Sequence, residues 1–579
     1  MRKIGHFFLS VCTGLGIVVL VMMAGGLVMR FYGTKQVNVP EHTMLMVDFG
    51  NSFSENTSLL VLDELLGRKN MAFSDLITAV QMAEKDERID GLTAYINTTS
   101  LDLGQIQDVA RVVQSFRNSG KKTVVFSQGF GPLGQGNREY YLASFFEKIY
   151  MQPHTNIGIT GINIEIPFVR DLMDKFGITA EFYTRYEYKT AMVSFTDNKI
   201  SAEYKAEMQK LTDSLMNTLK GGINENRKLN KNIDELINLA PITAEDGIKY
   251  GLIDDLMYLP QLEKRLKDDG VENFVHIEDY ATLIRSNEGN LPTVAWINLS
   301  GMIESGEGSN NLNGEMVIGS RSLLNELAKI GDIPNLKALV VRINSPGGDY
   351  NAADEIYFAL KQLKSEKNIP IIISQGGYAA SGGYFISLAG DVIIAEPATI
   401  TGSIGVLGGK FAVQNLWKKL GVNWAEIKNG ENADILSVNK PFSESERKIF
   451  NRQLDAVYDD FTAKVAENRK LTQPMDKIAR GRVWTGAQAV ELGLVDKLGG
   501  YNEALGEALA AANIGIKDKF KLLYFPKEKN FTEKLRDILL QIRINTQQLL
   551  IDSGVDRSYL KLFKRWQYDT VLVPFMINM

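Results

Sequence analysis

Two tandem α/β domains from an internal duplication, preceded by an amino-terminal transmembrane helix, are what the sequence predicts. Three observations carry this: long stretches recur in order, the first of them at an offset of 247 residues, strand-like and helix-like runs alternate within each copy, and an uncharged apolar run opens the chain. At 579 residues the chain has room for two or three full cores.

Residues 1–6 (MRKIGH) form a short basic amino terminus. From Phe7 to Met29 there is no charged residue, and at about 1.5 Å per residue these twenty-three positions span a hydrocarbon core of about 30 Å. MMAGGLVMRF is a poor signal-peptide cleavage site, so 7–29 reads as an uncleaved anchor followed by a linker over 30–41. Arg2 and Lys3 before the span set the expectation of a single pass with a cytoplasmic amino terminus and an exported body. The single cysteine, Cys12, lies in the span, so disulfides have no part in folding. Residues 516–579 hold twelve Lys/Arg against seven Asp/Glu while the whole chain has a formal net charge of −5, so no basic body exists to bind nucleic acid.

The two copies are expected over 42–290 and 291–515. GLTAYINTTS (91–100) answers ALVVRINSPG (338–347), and the string SQG recurs at 127–129 and 374–376. After a three-residue length difference, KIYMQPHTNIGITGI (148–162) meets VIIAEPATITGSIGV (392–406) and MDKFGITAEFY (173–183) meets WKKLGVNWAEI (417–427). ENRKL occurs at both 225–229 and 467–471. Short β-branched runs such as ALVVRI alternate with stretches such as NAADEIYFALKQLKSEKN, where Ala353, Ile356, Ala359, Leu360 and Leu363 fall at helical spacing.

The differences between the copies point to chemistry. GGYAASGGYFIS (376–387) centres on Ser381, where the first copy has Gly134 or Asn137, and INSPGG (343–348) becomes INTTSL (96–101). A serine nucleophile needs a proton acceptor and donors for an oxyanion; Gly347 and Gly348, directly after a strand, can turn sharply and present N–H groups. A turn at Pro-Gly and a helix-capping Ser381 explain the same residues without catalysis. Of the four histidines, His6 flanks the span, His42 lies at the linker, His276 sits between the copies and His154 has no acidic neighbour in sequence. The comparison of copies instead sets Lys189, among Tyr186, Tyr188, Ala191, Met192 and Val193, opposite Ala433. A lysine serves as a base only when desolvation keeps it neutral, and a surface lysine is the ordinary reading of any single one.

The ensemble RINSPGG, SQGGYAASGGYFIS, TGSIGV and GRVWTGAQAVELGLVD, with YKTA in the first copy and the span ahead of both, resembles the long, duplicated form of the signal peptide peptidase A family. These are bacterial membrane-bound serine proteases of the Ser/Lys dyad type, in the crotonase-like superfamily with the caseinolytic protease. The resemblance covers roughly 40–515 and implies two crotonase/Clp-protease-like domains, Ser381 as nucleophile and Lys189 as general base from the opposite copy. It further implies that Ser403 orients Lys189, that Gly347 and Gly348 form the oxyanion loop, and that neither cofactor nor metal is used. Remnant signal peptides as substrate, a bowl-shaped homotetramer and the bacterial inner membrane with a periplasmic body follow from the same resemblance.

In the tail, FTEKLRDILLQIRINTQQLLI (531–551) has an apolar stripe with basic groups opposite, as an amphipathic helix does, and SYLKLFKRWQYD (558–569) pairs aromatics with cations. Two other functions stay open on residues alone: a crotonase-type acyl-CoA enzyme with a backbone oxyanion pair, and a membrane scaffold without catalysis.

Overall fold

The β-branched runs become strands buried on both faces, as parallel strands must be when helices cover a sheet. The computed structural model describes residues 38–55, 71–132, 134–283, 291–308, 317–515 and 517–526. In the first repeat a parallel six-stranded sheet runs in the order Asp255–Leu256, Lys148–Met151, Lys122–Ser127, Ile89–Tyr95, Thr43–Asp48 and Asn273–His276. The second repeat builds the same path from Lys497–Leu498, Val392–Ala395, Ile371–Ala380, Leu336–Ser345, Thr293–Ser300 and Lys521–Phe525. Its central strand Ile371–Ala380 extends past the branch to Val392–Ala395 and also pairs with Ile400–Gly402, which carries Val483–Thr485 antiparallel.

The last of these strands corrects the expected boundary. Lys521–Phe525 pairs parallel with Thr293–Ser300, so the second repeat passes residue 515 and takes in the start of what the sequence reads as tail. The expected anchor at 7–29 and the tail helix at 531–551 lie outside the described residues. Among the described residues no helix is long and apolar enough to cross a membrane.

The repeats share one hydrophobic core, in which Leu103, Ile106 and Val113 of the first join Trp296, Ile372 and Tyr501 of the second. The helix Leu103–Asn118 starts with a capping box between Asp102 and Gln105, and Gly104 meets the backbone of Gly376 and Gly377. A buried charge costs several kcal/mol unless it is paired, and here the pairs cross the join. Arg342, fully buried, donates to Asp108 at 2.5 Å and to Glu55 at 3.3 Å, both in the first repeat. Arg111 donates through two nitrogens, each at 2.8 Å, to buried Glu396.

A second crossing positions the site. Thr179–Arg185 of the first repeat leaves its own sheet and pairs antiparallel with Val406–Ala412 of the second, from Val406 opposite Arg185 to Ala412 opposite Thr179. Phe182 packs edge-on against Phe411, with ring centroids 5.0 Å apart. The chain leaving this strand leads directly to Lys189.

Candidate active site

Ser381 sits where Ile371–Ala380 ends and the helix Gly382–Ser387 begins, with its N–H donating to Gly402 O at 2.8 Å. Its backbone has φ 55° and ψ −115°, a conformation worth about 1–3 kcal/mol of strain for a residue with a Cβ. Phe385 N–H donates to Ser381 O at 2.8 Å, and Tyr384 Oη donates to Leu494 O at 2.9 Å, so the turn is held on both sides.

Lys189 Nζ stands 2.7 Å from Ser381 Oγ, and donates to Ser403 Oγ and Ser403 O, each at 3.0 Å. All three residues are at most 2% exposed. Burial lowers the Lys189 ammonium to about 7. The hydrogen bonds described for Nζ all run to uncharged oxygens, so no carboxylate offsets that burial. A neutral amine has two N–H groups and one lone pair. Ser403 Oγ and O accept the two hydrogens, which leaves the lone pair facing the Ser381 hydroxyl. The site can therefore take a proton from Ser381 near neutral pH without histidine.

The fold therefore brings together Ser381, Lys189 and Ser403, all from one chain. His154 is elsewhere, exposed on the first repeat 3.7 Å from Glu245.

The glycine loop lies beside the serine. Gly347 and Gly348 have φ 114° and 157°, and a Cβ on Gly348 would land on the backbone of Ile303. Ile303 N–H donates to Gly347 O at 2.9 Å and Asp349 N–H to Ile303 O at 2.8 Å, which pins the loop. Gly347 N–H donates to Ser345 Oγ at 3.2 Å, whereas Gly348 N lies 3.3 Å from where a Cβ on Gly382 would be. Of the two amides, that of Gly347 is thus already engaged.

A clamp not read from the sequence holds Lys189. Arg480 stacks on Tyr186 at 4.3 Å and pairs with Glu187 at 2.8 Å, and Arg482 stacks on Tyr188 at 3.9 Å. Between them Gly481, φ 89°, leaves no room for a Cβ, which would lie 2.7 Å from Lys189 Cα. The same segment accepts Ser403 N–H at Arg482 O, 2.6 Å, and donates Gly481 N–H to Ile404 O at 2.7 Å. One tight loop thus fixes the backbone of both the lysine and Ser403. Its signal was available: with the helix caps Thr243 and Thr485 aligned, Gly481 falls opposite Leu239 and Arg482 opposite Ala240.

The model of Peptidase family S49 matches residues 115–272 and 363–515, more than half the chain, and that of Clp protease matches 320–398. "Protease 4" of Haemophilus influenzae is 31% identical over 475 residues, covering 78% of this chain and 75% of that protein. "Serine protease SPPA, chloroplastic" of Arabidopsis thaliana is 29% identical over 86% of this chain and 73% of that protein. "Putative signal peptide peptidase SppA" of Enterococcus faecium is 37% identical over 34% of this chain and 58% of that protein.

Proposed function

The chain belongs to peptidase family S49 and is a serine peptidase, and from that premise we propose that Ser381 is the nucleophile and Lys189 the general base. The observation that carries this is the buried 2.7 Å contact between Lys189 Nζ and Ser381 Oγ. Ser381 Oγ attacks the scissile carbonyl carbon while its proton passes to neutral Lys189. The resulting oxyanion accepts the Gly348 N–H, and Ser403 keeps the amine aimed. The C–N bond breaks as Lys189 returns the proton to the leaving amine, leaving an ester on Ser381. Water then attacks that ester, giving a proton to Lys189, and the acid product leaves as Ser381 regains its own.

The substrates we propose are remnant signal peptides and other unfolded exported segments of apolar character. The name borne by the Enterococcus faecium relative and the apolar run at 7–29 support this. Residues 7–29 anchor the protein in the bacterial inner membrane with the body outside the cytoplasm, which raises the local concentration of such peptides.

The test is hydrolysis of a quenched apolar signal-like peptide by the detergent-solubilised chain beside Ser381→Ala and Lys189→Ala. Loss of turnover in both folded variants is expected. Full activity in Lys189→Ala would sink the base assignment, and an inert parent that hydrates a short enoyl-CoA would favour an acyl-CoA enzyme.

A further inference from the structure

The strand that delivers Ser381 changes partners just before it ends. Ile372 to Gln375 pair with Val392–Ala395, whereas Tyr378 to Ala380 pair with Ile400–Gly402. On its other side the same strand follows Leu336–Ser345, and there the register slips: Ile343 stands opposite Gln375 but Ser345 opposite Ala379. Gly376, Gly377 and Tyr378 therefore bulge against the single residue Asn344. A bulge bends its strand and re-aims the side chains beyond it, and the next side chain beyond Ala380 is that of Ser381.

The bulge is held from the other repeat. Asn344 Oδ1 accepts the Tyr378 N–H at 3.0 Å, and Asn344 Nδ2 donates to Asp102 Oδ2 at 3.0 Å. Asp102 Oδ1 accepts the Gln105 N–H at 2.8 Å, which anchors the residue as the cap of the helix Leu103–Asn118. Gly377 makes room for it, since a Cβ there would land on the Asp102 carboxylate. Asp349, its counterpart at the 247-residue offset, also caps a helix, accepting the Ala352 N–H at 3.0 Å. Capping thus accounts for one oxygen of Asp102. The other is committed across the repeats, to the strand that leads into Gly347 and Gly348.

We propose that Asp102 and Asn344 are positioning residues for the reaction: together they set the bulge, and through it the backbone that aims Ser381 at Lys189 and the glycine loop. The side-chain hydrogen bonds described for the two run to the Gln105 and Tyr378 amides and to each other, so both act through the backbone. The inference rests on Ser381 being the nucleophile.

A reciprocal exchange tests it, because amide and carboxylate can trade places here. An aspartate only accepts, whereas an asparagine has an acceptor and a donor group. Asp102→Asn alone sets one NH₂ against another unless the helix cap is given up, and Asn344→Asp alone sets two carboxylates face to face. With both substitutions the amide at 102 still caps Gln105 and donates to the carboxylate at 344, which still accepts from Tyr378.

The full chain in detergent, both single variants and the double are assayed on the quenched apolar peptide, per serine titrated to completion with a fluorophosphonate, beside urea unfolding. Each single is expected to lower kcat by about 10- to 100-fold with KM within about twofold, and the double to return to within about threefold of the parent. Singles that lose urea stability but keep the parent kcat per titrated serine would overturn the proposal, as would a double no better than the worse single. Should a single fail to fold, the double still decides. A parent that cleaves nothing removes the catalytic reading and this inference with it; an active parent beside an equally active Asp102→Asn removes this inference alone.

Discussion

Asn137 and Ser381 occupy the same place in the two repeats and do opposite things. The register is set by the tyrosines three residues on: Tyr140 Oη donates to Leu252 O at 2.7 Å as Tyr384 Oη does to Leu494 O at 2.9 Å. Ser381 faces an amine. Asn137 instead closes on the backbone, its Nδ2 donating to Gly161 O at 2.8 Å and its Oδ1 accepting from Gly161 N–H at 3.2 Å. Two residues further, Glu139 replaces Gly383, and its carboxylate accepts the Thr99 N–H at 3.2 Å on the loop that corresponds to the oxyanion glycines. The first repeat has filled its own site with hydrogen bonds and exports a strand and a lysine to the other. The first repeat thus serves as scaffold on its own side while placing Lys189 beside Ser381 of the other.

The sharpest way to break that comparison is substitution at the matched pair. Ser381→Ala is expected to lower kcat by about 10⁴- to 10⁶-fold. Asn137→Ala should leave kcat unchanged and cost about 1–3 kcal/mol in urea unfolding by orphaning Gly161. A catalytic defect in folded Asn137→Ala would mean the first repeat still takes part in chemistry.

Next in size is the clamp. Gly481→Ala is expected to lower kcat by about 10²-fold with KM little changed, since a Cβ there displaces Lys189. Leu239→Ala, its exposed counterpart in the first repeat, should have no effect on either constant. Equal effects at the two positions would show that the loop acts only on stability.

The pH profile sharpens the same contrast. With Lys189 lowered to about 7, kcat/KM should fall about tenfold per pH unit below that value and level off above it. A plateau that begins only near the ordinary lysine value would mean that substrate enters a far wetter site than the structure presents.

The smallest effect is on stability. The folded lysine titrates near 7 and the unfolded one near 10.5, so between these values the unfolded chain binds the extra proton and folding is penalised as pH falls. The penalty is complete below about 7. Lys189→Met should therefore raise Tm by on the order of a few degrees at pH 6, and by less at pH 10. An unchanged difference across that range would show that desolvation of the amine is not the cause.

The duplication, the βα alternation and the two residues that the structure brings into contact, Ser381 and Lys189, are legible because subtracting one copy from the other leaves the residues only one copy holds. The same subtraction exposes Gly481 and Arg482 only once the caps Thr243 and Thr485 are aligned, because the lengths of the two copies differ there. The strand Lys521–Phe525 escaped because KLLYF shares with NFVH (273–276) a place in the sheet and hardly a residue. A strand at a sheet edge is specified by pairing and burial more than by residue identity.

By itself the sequence determined the two α/β repeats, the strand-to-helix turn at Ser381 and the loss of its counterpart, because these follow from local periodicity and from glycine placement. Only the tertiary structure decided that Lys189 meets Ser381 across 192 residues of one chain, and that burial lowers its amine to about 7. A proton affinity is set by what surrounds a group in space, and that enclosure exists only once the strand from one repeat has crossed onto the other.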